Sequence, residues 1–138
     1  MTDTRRGSPA RDGHPSFAVR VRLSIRMLIP RGRRKEARSI LSAMSSRIRL
    51  EEGCLSCRLY QDAVGGEALM FEEIWKDEKH LQKHLRSDEF RNVLLVVEMA
   101  SKAPEIHFDR IAQSTGIESI KHIGKRSDMQ PGADGQSV

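Results

Sequence analysis

EEGCLSCRLYQD, residues 51–62, contains both cysteines of the chain and a change of hydrophobic period. Upstream of it, Ala37, Ile40, Leu41, Met44 and Ile48 recur at helical spacing, with Arg and Ser on the other side. Within it, CLSCRLYQD alternates as a half-buried strand does. Gly53 is expected as the C′ residue that closes the helix, which makes the stretch a helix-to-strand junction. The C-x-x-C spacing by itself would suit a dithiol redox centre or half a zinc site. A redox pair, however, sits where a helix begins, so that the helix N-terminus lowers the thiol pKa; here a helix has just ended. Zinc would need a second such pair of cysteines, which the chain lacks. Residues three apart in a regular strand point to opposite faces, so Cys54 and Cys57 are expected to be two free thiols that cannot bridge.

Working outward, Val19, Val21, Leu23, Ile25 and Met27 alternate with Arg20, Arg22, Ser24 and Arg26, which predicts a strand from Phe17 to Leu28. Pro30 and Gly32 stop it. On the other side of the junction, AVGGE turns the chain into ALMFEEIWK, and the two short strands make a hairpin. Asp77 is placed to cap a short helix with Leu81 and Leu85 inside, and Ser87 or Asp88 to cap another through DEFRNVLLVVEMA. That second helix is apolar almost all round, which predicts burial on two sides. Pro104 precedes a last strand, EIHFDRIAQ, and TGIESIKHI follows as a short helix. The order is βαββαβ with the second helix broken in two. This is the ferredoxin-like α+β plait, an antiparallel sheet with helices on one face. Its other face is left for water or a second copy, and sheet-to-sheet dimerisation is the expectation. The domain is read as residues 17–113, with a disordered arm over 1–16, a helical extension over 114–124 and a disordered tail over 125–138.

The chain has 138 residues, room for one domain with its own core. Aromatics are 4% of it, so the core must be aliphatic and methionine-rich. No run of about 18 apolar residues is present, and the first apolar stretch is interrupted by arginines, which argues against a signal peptide. Two cysteines are too few for a disulfide framework, so the expected setting is cytoplasmic with reduced thiols. The net charge of +5 is concentrated between Arg20 and Arg38, where seven arginines and Lys35 face only Glu36. Such a stripe can meet phosphate, but a solvated strand face is the commoner outcome.

The pieces RGRRKEARSIL, EEGCLSCRLYQD and LMFEEIWKDEKHLQKHLRSDEF together resemble the antibiotic biosynthesis monooxygenase (ABM) domains, over about Val19 to Ala112. Gly53–Cys54, Glu73, Trp75, His84 and the RSDEF segment are the most specific points. The resemblance implies a dimeric α+β barrel. It also implies several activities: oxidation of phenolic polyketides or quinols by dioxygen without metal or flavin, degradation of haem, isomerisation of small signalling molecules, or none. In the cofactor-free branch the substrate's own anion reduces dioxygen. The protein must then supply a base, a hydrogen-bonding partner and an apolar pocket. His84 is the candidate base, since imidazole titrates near neutral pH, and Glu73 its carboxylate partner, set among apolar strand neighbours. Trp75 and Phe71 would form the wall for a ring, Tyr60 a phenolic hydrogen bond, and Cys57 a small residue where the family usually has an aromatic. Each has a plainer reading: His84 as a satisfied core histidine, Glu73 paired with an arginine, Trp75 as packing.

No cofactor or metal is expected. His80 and His84 have a metal-ligand spacing of four, yet no H-E-x-x-H motif or third ligand accompanies them. The haem-degrading branch relies on an Asn, a Trp and a His at positions aligned with Ile25, His84 and Leu94, so haem degradation is disfavoured. Nucleic-acid binding by the same element order needs exposed aromatics on the central strands. VRVRLSIRM has none, and LMFEEIW adds two glutamates. The leading reading is a monooxygenase acting with dioxygen on a quinol-like or polycyclic phenol. The alternative is a non-catalytic ligand-binding or regulatory dimer. A closed apolar pocket beside His84 would favour the first, a filled core the second.

Overall fold

The structure, a computed structural model, describes residues 19–120. The expected arm over 1–16 and tail over 125–138 lie outside the described residues. Strand β1 (Arg20–Leu28) leads into α1 (Arg31–Ile48), β2 (Cys54–Gln61), β3 (Ala68–Trp75), α2 (Glu78–Leu85), α3 (Asp88–Val97) and β4 (Glu105–Ile111). The sheet order is β2-β3-β1-β4, and every neighbouring pair is antiparallel. This is the expected ferredoxin-like α+β plait. Residues 117–120 form one helical turn beyond it, and the rest of the predicted C-terminal helix lies outside the described residues.

Alternation in sequence becomes alternation in burial. Val21, Leu23, Ile25 and Met27 of β1, and Leu69, Phe71, Glu73 and Trp75 of β3, all face the helices and are buried. They meet Ala37, Leu41, Met44 and Ile48 of α1, Leu81 of α2, and Phe90, Val93 and Val96 of α3. On the outer face the arginines of β1 pair with β4, Arg22 with Asp109 at 3.4 Å and Arg26 with Glu105 at 3.5 Å. Part of the basic stripe is thus spent on cross-strand ion pairs, which at this exposure add little stability.

Three expectations need correction. Helix α3 is buried along one side: Leu94 and Leu95 are exposed, because α3 packs on α1 and α2 and no other element of the described residues covers its remaining face. Helix α1 ends at Ile48 with Arg49 as its cap, so Gly53 is not its C′ residue. Gly53 instead takes a left-handed φ of 87° at the last turn before β2. Finally, β2 is irregular. Cys54 pairs with Trp75 and Ser56 with Ile74, so Leu55 is an extra residue, a β-bulge that resets the alternation. Cys54 and Cys57, expected on opposite faces, therefore both turn toward the core, where both remain free thiols.

Candidate active site

Glu73, at the third position from the end of β3, is fully buried by the strand parity that it shares with Phe71 and Trp75. Its two carboxylate oxygens are both used. Trp75 Nε1–H donates to Oε1 at 2.9 Å, and His84 Nε2 lies 3.0 Å from Oε2. His84 arrives from the last turn of α2, one residue before the Leu85 that closes the helix. Asp77 starts that helix by accepting from the His80 N–H at 2.9 Å, so the cap fixes the phase that turns His84 inward. The imidazole is 1% exposed, stacked on Trp75 with ring centroids 4.6 Å apart and edge-on to Phe90 at 5.3 Å.

The third member is one that sequence reasoning missed. Glu51 Oε1 lies 2.9 Å from His84 Nδ1, so the imidazole bridges two carboxylates. Glu51 stands in the turn between α1 and β2, where no periodicity marks it. The available signal was its place two residues before the Gly53–Cys54 junction. The turn is fixed by Glu51 N–H to Ile48 O, Cys54 N–H to Glu51 O and Lys76 N–H to Gly53 O. Arg49 adds a clasp from the end of α1, donating to Cys57 O at 3.0 Å. A Cβ on Gly53 would collide with the His80 ring, so glycine is required here by space as well as by φ.

Burial alone would push the His84 imidazolium toward losing its proton, but the hydrogen bonds and charges of Glu73 and then Glu51 outweigh it, and the net shift is upward. The C-terminal end of α2 favours the cation in the same sense. The ring then donates through both nitrogens. Among the described residues, the one buried side-chain nitrogen or oxygen left without a hydrogen-bond partner is Glu51 Oε2. A cleft of about 490 Å³ opens beside it, lined by Glu51, Glu52, His80, Lys83, His84 and Arg86 among others. It is not the closed apolar pocket expected of the enzyme reading.

The structure thus brings together His84, Glu73 and Trp75 from the predicted set and separates the rest. Phe71 and Trp75 are fully buried in the core, and Trp75 acts on Glu73 rather than as a wall of the cleft. Cys57 is also fully buried; burial, followed by the charge of Glu73, pushes its thiol upward, and the same causes push Cys54 to about 11. Neither is a reactive thiolate. Tyr60 projects from the outer face of β2, half-exposed beside Arg26, Asp62 and Met70, on the opposite side of the sheet from His84. His80 is held by Asp77, with Nδ1 2.6 Å from Oδ1, and no group of three metal-ligating side chains occurs among the described residues.

The profile of the antibiotic biosynthesis monooxygenase family matches residues 20–94. The chain belongs to that family. Among solved structures, a conserved protein of Methanosarcina mazei is 28% identical with a TM-score of 0.64, over 70% of this chain and 96% of its own. Rv0793 of Mycobacterium tuberculosis is 24% identical with a TM-score of 0.64, over 70% and 99%. A Deinococcus radiodurans protein provisionally assigned as an antibiotic biosynthesis monooxygenase is 15% identical with a TM-score of 0.64, over 70% and 97%. At the lower identities the likeness is one of fold. No curated protein matches the chain.

Proposed function

We propose that the protein is a cofactor-independent monooxygenase of the ABM type, oxidising a quinol-like or polycyclic phenolic molecule with dioxygen, and that it works as a homodimer. The observation that carries this reading is the part-exposed Glu51 side chain in the lining of the cleft, joined through His84 to the buried Glu73. Family membership supports the reaction class. Glu51 takes the place expected of His84 as the group that meets substrate, since its side chain is 25% exposed in the cleft lining while that of His84 is wholly buried. In this reading Glu51 Oε2 accepts the proton of the substrate hydroxyl. The His84 imidazolium holds the other Glu51 oxygen in position, and Glu73 with Trp75 orients the imidazole.

Deprotonation makes the ring electron-rich enough to reduce dioxygen itself. For a ring methylene beside the phenolate, one oxygen atom replaces two hydrogens to give a carbonyl, and the other leaves with those hydrogens as water. Oxygen uptake with a panel of hydroquinones and hydroxyanthrones, metal-free and flavin-free, tests the reading. Glu51→Gln should lower kcat/KM about 10²- to 10⁴-fold, the usual contribution of a positioned base. Unchanged turnover in that variant removes Glu51 from the mechanism. Glu51 is the better probe than His84, because His84→Ala would strand the Glu73 charge in the core and cost about 3–5 kcal/mol of stability.

The second reading, a non-catalytic ligand-binding or regulatory dimer, is favoured by the filled core. Trp75, Phe71, Glu73 and His84 leave the interior beside the imidazole occupied by protein. It predicts ligand binding with no oxygen consumption for any member of the panel.

A further inference from the structure

We propose that the cleft beside Glu51 takes an aromatic molecule bearing both a hydroxyl and a carboxylate, the hydroxyl on Glu51 and the carboxylate on Lys83 and Arg86. The proposal rests on the reading of Glu51 as the acceptor for a substrate hydroxyl and adds what the far end of that substrate must be.

Two separate observations support it. Glu51 lines the cleft, and one of its carboxylate oxygens, Oε2, makes no hydrogen bond among the described residues, which suits a hydrogen-bond donor. Lys83 and Arg86 in the same lining are cationic. Lys79, Lys83 and Arg86 follow one another at i, i+4 and i+7, along one side of α2 and its cap. A hollow of about 540 Å³ adjoins the first, sharing Glu52, His80, Lys83 and Arg86 with it and adding Lys79.

The lining is mixed in charge, with Glu51, Glu52 and Glu89 beside Lys83 and Arg86. Glu51 shares the His84 imidazole with Glu73, and Glu52 lies 3.9 Å from a His80 ring that Asp77 already holds. Glu89 lies in the first turn of α3, where the helix N-terminus favours a carboxylate. Lys79, Lys83 and Arg86 make no ion pair among the described residues and are exposed, so their side chains are available to an anionic group. A guanidinium beside two ammonium groups suits a planar carboxylate, which Arg binds through two parallel hydrogen bonds. A cleft of about 490 Å³ has room for a two-ring aromatic.

Calorimetry with three oxygen-stable naphthalenes tests this without turnover. 6-Hydroxy-2-naphthoate carries both groups, 2-naphthol lacks the carboxylate and 2-naphthoate lacks the hydroxyl. The doubly substituted compound should bind at least about tenfold tighter than either of the others, which is about 1.4 kcal/mol for each group. The double variant Lys83→Met/Arg86→Met, whose changes are at exposed positions, should erase the preference over 2-naphthol and keep the preference over 2-naphthoate. Glu51→Gln should do the reverse. Equal binding of 6-hydroxy-2-naphthoate and 2-naphthol, a carboxylate preference that survives the double variant, or no binding of any of the three overturns the proposal. Oxygen uptake fails separately: if the preference holds but no hydroxyl-bearing carboxylate consumes oxygen, the monooxygenase reading falls and the ligand assignment stands.

Discussion

His84 binds its proton more tightly in the folded chain than in the unfolded one, because Glu73 and Glu51 together outweigh the burial that opposes them. A histidine whose folded pKa is raised contributes stability that is fully present below its unfolded value, about 6.5, and lost as pH rises through the folded value. The urea midpoint should therefore fall as pH is taken from 6 to 8, and Glu51→Gln should flatten the slope. A midpoint that climbs with pH over that window would mean that the ring is held neutral. At this scale the sequence was legible in part. Glu73 could be placed by its parity with Phe71 and Trp75, and His84 by its step from Leu81 and Leu85. Glu51 could not, because it sits in a turn and meets a partner 33 residues away. Such a contact follows from how the junction docks on α2, which no local pattern records.

Among the elements, α2 and the turn before β2 hold the site, and each depends on one residue. Asp77→Ala removes the acceptor that caps α2 and should cost about 1 kcal/mol. Gly53→Ala puts a Cβ into the His80 ring at a left-handed φ and should cost more, about 1–3 kcal/mol. Denaturant titration of the two variants ranks them, and the reverse order would mean that the turn yields where the structure shows it tight. The strands were readable because their periods survive folding: β1 and β3 bury the side that their alternation marks. The bulge was not readable, since Leu55 has no composition that distinguishes an extra residue from a regular one. The two-sided burial expected of α3 failed for a related reason. VLLVV states that the helix is apolar but not how many neighbours it has, and Leu94 and Leu95 face outward.

For the whole molecule, the family likeness read over about Val19 to Ala112 takes in all of residues 20–94 that the profile matches, and Gly53–Cys54, Glu73, Trp75 and His84 lie within them. The helices cover one side of the sheet. The outer side carries Tyr60, Met70 and Ile74 among charged residues that include Arg22, Arg26, Arg58 and Glu72, and no helix of the described residues covers it. Light scattering at micromolar concentration should return about twice the 15.6 kDa of the chain, and a single-chain mass would sink the sheet-to-sheet dimer. The chain also contains one tryptophan, and it is the one stacked on His84 and bonded to Glu73. All the indole fluorescence of this protein thus originates inside its candidate site. Proton uptake by the imidazole, or the arrival of a molecule on Glu51, takes place within two contacts of the only such fluorophore, so the natural sequence carries its own optical probe of the place where its chemistry is proposed to occur.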